Sequence, residues 1–378
     1  MKKAVKRVLI TGCTGQDGSL MADYLLEHTD NIVIGGIRRL SVKNHKNIEH
    51  LKDNPRFKLI DLDITDSSNV GRVIQEEKPD YFINFAANSF VGNSWDMPVN
   101  HMNTNCMAVL YQLEAIRKYC PDCRYYNAGS SEEWGNVDYS PQDEKHPAKA
   151  RSPYGVSKVS ARQLVKVWRE SYRIYAVQGW LLNHEGVRRG EEFVTRKITK
   201  GVSKILDQVS RGESITPIEL GNLDAKRDWS DAEDFVDGVW KMLNQEQCPR
   251  IGNMCLFWKR TDEGLTEWNY RAYGSQLLQE YVLSSNETHS IREFVELAFE
   301  CIGFSKEECK WVGEKEEEVY IHDLGILVKI NPDYYRPAEV SLLHGDSTRA
   351  REELGWRPKT SFEELVKKMV RNDLRNRL

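Results

Sequence analysis

The stretch Lys6-Arg-Val-Leu-Ile-Thr-Gly-Cys-Thr-Gly-Gln-Asp-Gly-Ser19 decides the fold. Its first half is a short apolar run with β-branched residues, which reads as a buried strand. Gly12, Gly15 and Gly18 follow at once, in the spacing G-x-x-G-x-x-G. From Ser19 to Glu27, Leu20, Met21, Tyr24 and Leu25 recur at helical spacing. Ile32-Val-Ile-Gly-Gly-Ile37 is a second strand. Any turn can use glycine, so the triplet alone says little. Strand, glycine-rich turn, helix and strand in succession are the context that a dinucleotide-binding turn requires. There the glycines let the backbone approach a pyrophosphate, and the helix N-terminus supplies N–H groups and positive potential. Arg38 and Arg39 close the second strand. An NAD binder carries Asp or Glu there for the ribose 2′-hydroxyl, whereas cations suit a 2′-phosphate, so NADP is the expected cofactor.

The alternation continues outward. Phe57-Lys-Leu-Ile-Asp61 is a strand with Asp63 and Ile64 at its carboxyl end, and Asp66 caps a helix through Val70 and Ile74. A strand over 81–87, a helix over 107–117 and a strand over 124–127 follow. Repeated strand–helix units give an α/β fold, a Rossmann-type doubly wound parallel sheet with ligands at the carboxyl ends of its strands. Residues 86–89 and 129–132 fall at such ends. The expected division is an NADP-binding domain over 1–182 and a smaller α/β substrate domain over 183–378. Segments near 220–245 interleave with the first domain. Asn286-Glu-Thr-His-Ser290 precedes a capped amphipathic helix from Ile291.

Ser152-Pro153 opens a helix carrying Tyr154 and Lys158. Four residues apart, they share one helix face. A cation beside a phenol lowers its pKa from about 10, and a phenolate acts as a general base. The strand ending at Asn127 leads to a hydroxyl, Ser130, and a carboxylate, Glu132.

Composition sets limits. The 378 residues are 40% hydrophobic and 29% charged, with net charge -4. That balance gives no reason to expect a nucleic-acid or membrane partner. No apolar run approaches the roughly 20 residues that span a bilayer. The apolar run after the basic Met1-Lys-Lys-Ala-Val-Lys-Arg start is too short for a signal peptide, so a cytoplasmic protein is expected. The eight cysteines are scattered, and neither Cys120/Cys123 nor Cys248/Cys255 has a His pair beside it. No metal site is expected.

The chain resembles the extended short-chain dehydrogenase/reductases, and within them the GDP-mannose 4,6-dehydratases. The likeness rests on the opening stretch, Ser130-Ser-Glu132, Tyr154/Lys158, Asn183-His-Glu-Gly-Val-Arg-Arg-Gly190, Phe193-Val-Thr-Arg-Lys-Ile198, Leu220-Gly-Asn-Leu-Asp-Ala-Lys-Arg-Asp-Trp229 and Tyr335-Arg-Pro-Ala-Glu339. It covers nearly the whole chain apart from about 250–277. It implies NADP as cofactor, a GDP-linked sugar of the manno series as substrate, and a homo-oligomer, a dimer or tetramer, with contacts near 39–51. By the resemblance, NADP is held by Gly12, Cys13, Thr14, Gly15, Gln16, Asp17, Arg38, Arg39, Ser41, Asp63, Ile64, Phe85, Ala86, Ala87, Asn88, Ser89, Lys158, His184 and Arg189. The GDP-sugar is held by Ser89, Asn183, Val194, Lys197, Arg227, Arg336 and Glu339. Cations such as Lys197 and Arg227 are also what a pyrophosphate needs. The implied catalytic set is Ser130, Glu132, Tyr154 and Lys158. Glu132 discriminates, because a plain dehydrogenase, epimerase or 4-keto reductase needs no carboxylate at that point, and a non-catalytic sensor needs no intact Tyr/Lys pair.

Several positions depart from the family pattern. Ser130 stands in place of Thr and keeps the hydroxyl. Gln-Ser-His reads Asn88-Ser89-Phe90, Asn100 aligns with a Tyr, and Gly186-Val187 replaces Ser-Pro. An aromatic insertion at about 250–277 carries Phe257, Trp258, Trp268, Tyr270 and Tyr273. These changes leave GDP-manno-heptose, which retains carbons beyond C6, as an alternative substrate to GDP-mannose.

Overall fold

In the computed structural model the described residues are 5–245, 250–251, 254–255, 258–261, 264–268, 278–335, 340 and 342–376. The opening stretch forms β1 (Arg7–Thr11) and α1 (Gln16–His28), followed by β2 (Ile32–Ile37), β3 (Phe57–Asp61), α2 (Ser67–Glu77) and β4 (Tyr81–Asn84). Next come α3 (Pro98–Met102), one wider helical turn over Asn103–Met107, α4 (Ala108–Tyr119), β5 (Arg124–Ala128), α5 (Pro153–Tyr172) and β6 (Ala176–Leu181). The chain continues through β7 (Asn183–Glu185), α6 (Val194–Ser210), β8 (Ile218–Leu220), β9 (Lys226–Arg227), β10 (Trp229–Asp231) and α7 (Ala232–Leu243). Two short hairpins, β11 (Arg250–Ile251) with β12 (Met254–Cys255) and β13 (Trp258–Thr261) with β14 (Gly264–Trp268), lead to β15 (Val282–Leu283), β16 (His289–Ser290) and α8 (Ile291–Glu300). The last elements are β17 (Lys310–Val312), β18 (Val319–His322), β19 (Gly325–Ile330), β20 (Leu342–Leu343), α9 (Thr348–Glu353) and α10 (Phe362–Arg375). Phe257, Tyr270 and Tyr273 of the insertion, together with Cys248, Arg336 and Glu339, lie outside the described residues.

The main sheet is parallel throughout, in the order β15-β6-β5-β4-β1-β2-β3. Val8, Leu9 and Ile10 are each fully buried, as expected of a central parallel strand covered on both faces. Alternation splits them. Val8 and Ile10 join a layer with Met21, Leu25, Phe235 and Trp356, while Leu9 joins Ile34, Phe82, Val109 and Val165 on the other face. α1 packs on α7 over one face, and α2, α4 and α5 pack in succession over the other. Each fully buried Leu, Ile, Val or Phe contributes about 1.5–3 kcal/mol, so these two layers fix the sheet that carries the site.

A separate core gathers α6, α8 and α10 on the four-stranded sheet β17-β18-β19-β8, through Ile198, Val202, Phe294, Phe299, Tyr320 and Met369. α8 and α10 each open on a capping box, Ser290 with Glu293 and Ser361 with Glu364. α7, β15 and Trp356 return to the first core, so the chain crosses between the two more than once. β7 pairs with β10, and β9 pairs with β16 and β20, at the carboxyl edge of the main sheet.

The strand read over 81–87 stops at Asn84. The Asn84 side chain is drawn into buried hydrogen bonds with Thr11 and Asn127, 2.5 and 2.7 Å long. The next residues close over the glycine turn, where a Cβ on Gly12 would lie 2.8 Å from the Ala86 nitrogen. Among the described residues no helix is long and apolar enough to cross a membrane, and no His/Cys/Asp/Glu group is suited to a metal ion.

Candidate active site

Gly12 has φ +67, a left-handed conformation that favours glycine. A Cβ on Gly18 would lie 2.3 Å from the Gly12 carbonyl oxygen, so the turn folds directly onto the start of α1. Gly12, Thr14, Gly15, Gln16 and Asp17 line one end of a cavity of about 1300 Å³. The same cavity reaches Ser130, Glu132, Tyr154 and Lys158, then Asn183, His184, Arg189, Val194, Lys197 and Arg227, with Phe85, Ala86, Ala87 and Ser89 along its wall. An adjoining crevice of about 700 Å³ at the ends of β2 and β3 is lined by Arg38, Arg39, Asp63, Ile64 and Asn88. Two expected residues stand apart. The Cys13 side chain is buried in the core beneath β2, and Ser41 is exposed and lines neither space.

These residues fit a dinucleotide. The glycine turn packs on Ala86 and on itself too closely for side chains at Gly12 and Gly18, and it opens a 13-residue helix whose N-terminus faces the cavity. The buried Gln16 Oε1, Asn183 Oδ1 and Arg188 Nη1 have no hydrogen-bond partner among the described residues and lie on residues lining the cavity. Polar atoms buried in this way are expected to meet a ligand or water.

Local sequence sets the reacting groups. Ser152 caps α5 by accepting from the Gly155 N–H at 3.0 Å, with Pro153 in the first turn. A Cβ on Gly155 would lie 2.7 Å from the Glu132 carbonyl, so the start of α5 abuts the Ser131–Glu133 turn. Tyr154 hydrogen-bonds the Ser130 hydroxyl. Lys158 donates to the Ala128 carbonyl at 2.8 Å, and its ammonium lies 5.7 Å from the Tyr154 ring centre. Glu132 is 8% exposed and faces the same cavity.

The electrostatics differ from the expectation of a lowered phenol. Burial, the largest cause, pushes Tyr154 up, and the Glu132 and Glu133 carboxylates push it further. The Ser130 hydrogen bond and the Arg189 guanidinium pull it down without reversing the direction. Lys158 is brought down to about 8, because burial outweighs Glu133 and Asp17.

Asp17 and His184 join the glycine turn to β7. His184 Nε2 lies 3.0 Å from the Asp17 carboxylate, and its Nδ1 lies 2.8 Å from the Leu182 carbonyl. Burial raises Asp17, but the charge and hydrogen bond of His184, with Gln16 and Arg189, take it down to about 2. Burial lowers His184, and Asp17 raises it above its ordinary value.

At the far end of the cavity, Arg189 covers the Phe193 ring at 3.6 Å and Lys197 covers the Tyr334 ring at 3.6 Å. Phe90 meets Phe193 edge-on at 6.0 Å. Asn88 turns its amide to Asn100, and both line the adjoining crevice, whereas Ser89 and Phe90 line the larger cavity. Sequence reasoning missed Arg188 and Tyr334 in this wall. It also missed Glu133, Arg162, Gln178 and Glu280 behind the reacting groups, although Arg162 continues the Tyr154/Lys158 spacing by one more turn.

Residues 9–255 and 266–369 match the family model described as GDP-mannose 4,6 dehydratase. A Drosophila melanogaster protein named GDP-mannose 4,6 dehydratase is 41% identical over 380 residues, covering 98% of this chain and 86% of that protein. A Homo sapiens protein of the same name is 38% identical over 386 residues, covering 99% and 93%. Among solved structures, the dTDP-glucose 4,6-dehydratase of Bacillus anthracis in complex with NAD shares the fold at TM-score 0.73 and 18% identity, covering 99% of this chain and 98% of that one.

Proposed function

This chain belongs to the GDP-mannose 4,6-dehydratase family, and from that premise we propose that it removes water from GDP-mannose with NADP to give the GDP-linked 4-keto-6-deoxy sugar. The observation that carries the reading is the buried Glu132 carboxylate in one cavity with Ser130, Tyr154 and Lys158. The chemistry NADP supplies when bound is removal of hydride from C4 and its return to C6. Tyr154 takes the O4 proton, with the Ser130 hydroxyl and Arg189 favouring its anion against burial and the Lys158 ammonium on the same helix face 5.7 Å from its ring. Ser130 shares the O4 hydrogen bond. The C4 ketone acidifies C5, Glu132 takes the C5 proton, and the C6–O bond breaks as that proton leaves with the hydroxyl as water; when hydride returns to C6, the proton held by Tyr154 goes to C5, which restores both residues.

The same reading assigns binding roles. The turn Gly12–Asp17 holds the pyrophosphate, Arg38 and Arg39 the 2′-phosphate, and Asp63, Ile64 and residues 85–89 the adenosine side. His184 and Arg189 close the cofactor site. Asn183, Val194, Lys197 and Arg227 hold the GDP diphosphate, together with Arg336 and Glu339. Residues 1–182 then form the NADP-binding part and 183–378 mainly the substrate part, in a cytoplasmic homo-oligomer. Of the two sugars left open by the sequence, GDP-mannose is favoured, since it is the one named in the relatives matched. Glu132 separates dehydration from epimerisation or 4-keto reduction, and any turnover excludes a silent sensor.

Glu132→Gln tests the assignment. NADP binding stays native, and formation of the 4-keto-6-deoxy product falls by about 10²–10⁴-fold, the usual contribution of a positioned acid or base. Native-rate product from this variant would refute the role of Glu132.

A further inference from the structure

We propose that Glu133 and Arg162 form a buried positioning pair that holds the Ser130–Glu132 turn and the Tyr154/Lys158 helix in one frame, so that elimination depends on residues that never touch the sugar. The proposal rests on the dehydratase reading above.

Glu133 is 1% exposed, although it is the immediate neighbour of the cavity-facing Glu132. Its carboxylate accepts from the Ser130 N–H at 2.9 Å, while the Ser130 side chain caps the same turn. The carboxylate is gripped by Arg162, through Nε and, at 3.2 Å, through Nη2. Gln178 donates to Glu133 at 3.0 Å and to the Lys158 carbonyl at 3.1 Å. One side-chain amide therefore touches both halves of the reacting set. Arg162 follows Tyr154 and Lys158 on one face of α5, at intervals of four.

Arg162 is itself fixed. It donates to the Gln178 and Gly179 carbonyls at 2.6 and 3.1 Å and to Glu280 at 2.8 Å, and it lies 3.5 Å over the Trp180 ring. Glu280 also accepts from Arg169 at 2.8 Å, so two carboxylates and two guanidiniums balance in the buried cluster. The glycine before Ser130 leaves the room: a Cβ on Gly129 would lie 2.8 Å from both Arg162 Nη2 and Glu133 Oε1. A buried ion cluster is no better for stability than apolar packing of the same volume. What it adds here is direction, because it clamps the backbone on either side of Glu132.

The test is Glu133→Gln, which keeps the shape and removes the charge. A misplacement of about 1 Å costs on the order of 10² in rate. The expected result is a kcat about 10–10²-fold lower with KM for GDP-mannose within about threefold of native. The kinetic isotope effect from deuterium at C5 rises, because proton removal by Glu132 becomes limiting. Asp373→Asn is the control. It breaks the Arg196–Asp373 pair, which is comparably buried in the other core, and lowers the melting temperature without raising the C5 isotope effect. If Glu133→Gln is not recovered folded, Arg162→Lys carries the test, with the same direction and a smaller size. Native kcat and isotope effect in Glu133→Gln, or an equal rise in Asp373→Asn, overturns the pair. Wild-type enzyme that removes no water from GDP-mannose overturns the dehydratase reading instead.

Discussion

Asp17→Asn removes the carboxylate that ties the glycine turn to β7. In the native protein both ring nitrogens of His184 face acceptors, the Leu182 carbonyl at 2.8 Å and Asp17 at 3.0 Å, with the ring stacked on Phe235 at 4.6 Å. That arrangement holds the imidazolium. Asp17 falls from 3.8 to about 2 in the folded protein. At about 1.36 kcal/mol for each tenfold step in acidity, that lowering gives about 2 kcal/mol. Because the folded value is depressed, this stability is present above pH 3.8 and is lost as pH falls through about 2. His184 is shifted the other way, above its ordinary 6.5. Its contribution is complete below pH 6.5 and is lost as pH rises through the higher folded value. Wild-type stability should therefore decline on the alkaline side of pH 6.5. Asp17→Asn should be about 2 kcal/mol less stable at pH 6 and should lack that decline. Urea denaturation followed by tryptophan fluorescence from pH 5 to pH 9 measures both. A variant within about 0.5 kcal/mol of wild type, with the same alkaline decline, would refute the ion pair.

Gly18→Ala places a methyl 2.3 Å from the Gly12 carbonyl, and a backbone atom cannot move aside. Strain of about 1–3 kcal/mol opens the turn, and the NADP dissociation constant, read by fluorescence titration, rises about tenfold or more; unchanged affinity contradicts the closeness of that turn. Arg39→Ala should weaken NADP about 10–100-fold and leave NAD unaffected, since a charge-assisted hydrogen bond is worth about 1.5–3 kcal/mol. Equal loss of both cofactors would remove the 2′-phosphate from the account.

What the sequence disclosed is what local periodicity encodes. The run Val8-Leu-Ile10, the glycines and the helix after them occupy adjacent positions, so the nucleotide turn was legible before any tertiary contact was known. Tyr154 and Lys158 were legible because one helix face joins them. The frame behind them was not. Glu133, Arg162, Gln178 and Glu280 come from four separate segments, and a buried carboxylate in a charged stretch reads as a solvated one until the partner is placed. The direction of the Tyr154 shift was missed for the same reason, because burial is a tertiary quantity and it outweighed the Ser130 hydrogen bond and the Arg189 cation. β4 ended three residues early because a side-chain ladder from Thr11 through Asn84 to Asn127 has no local signature.

The most direct measurement is to incubate the protein with NADP and GDP-mannose and follow the sugar nucleotide by mass spectrometry. The account predicts a product lighter by one water, carrying a C4 ketone and a C6 methyl group, with no net consumption of NADP. Unchanged GDP-mannose, or a product of unchanged mass, would contradict it.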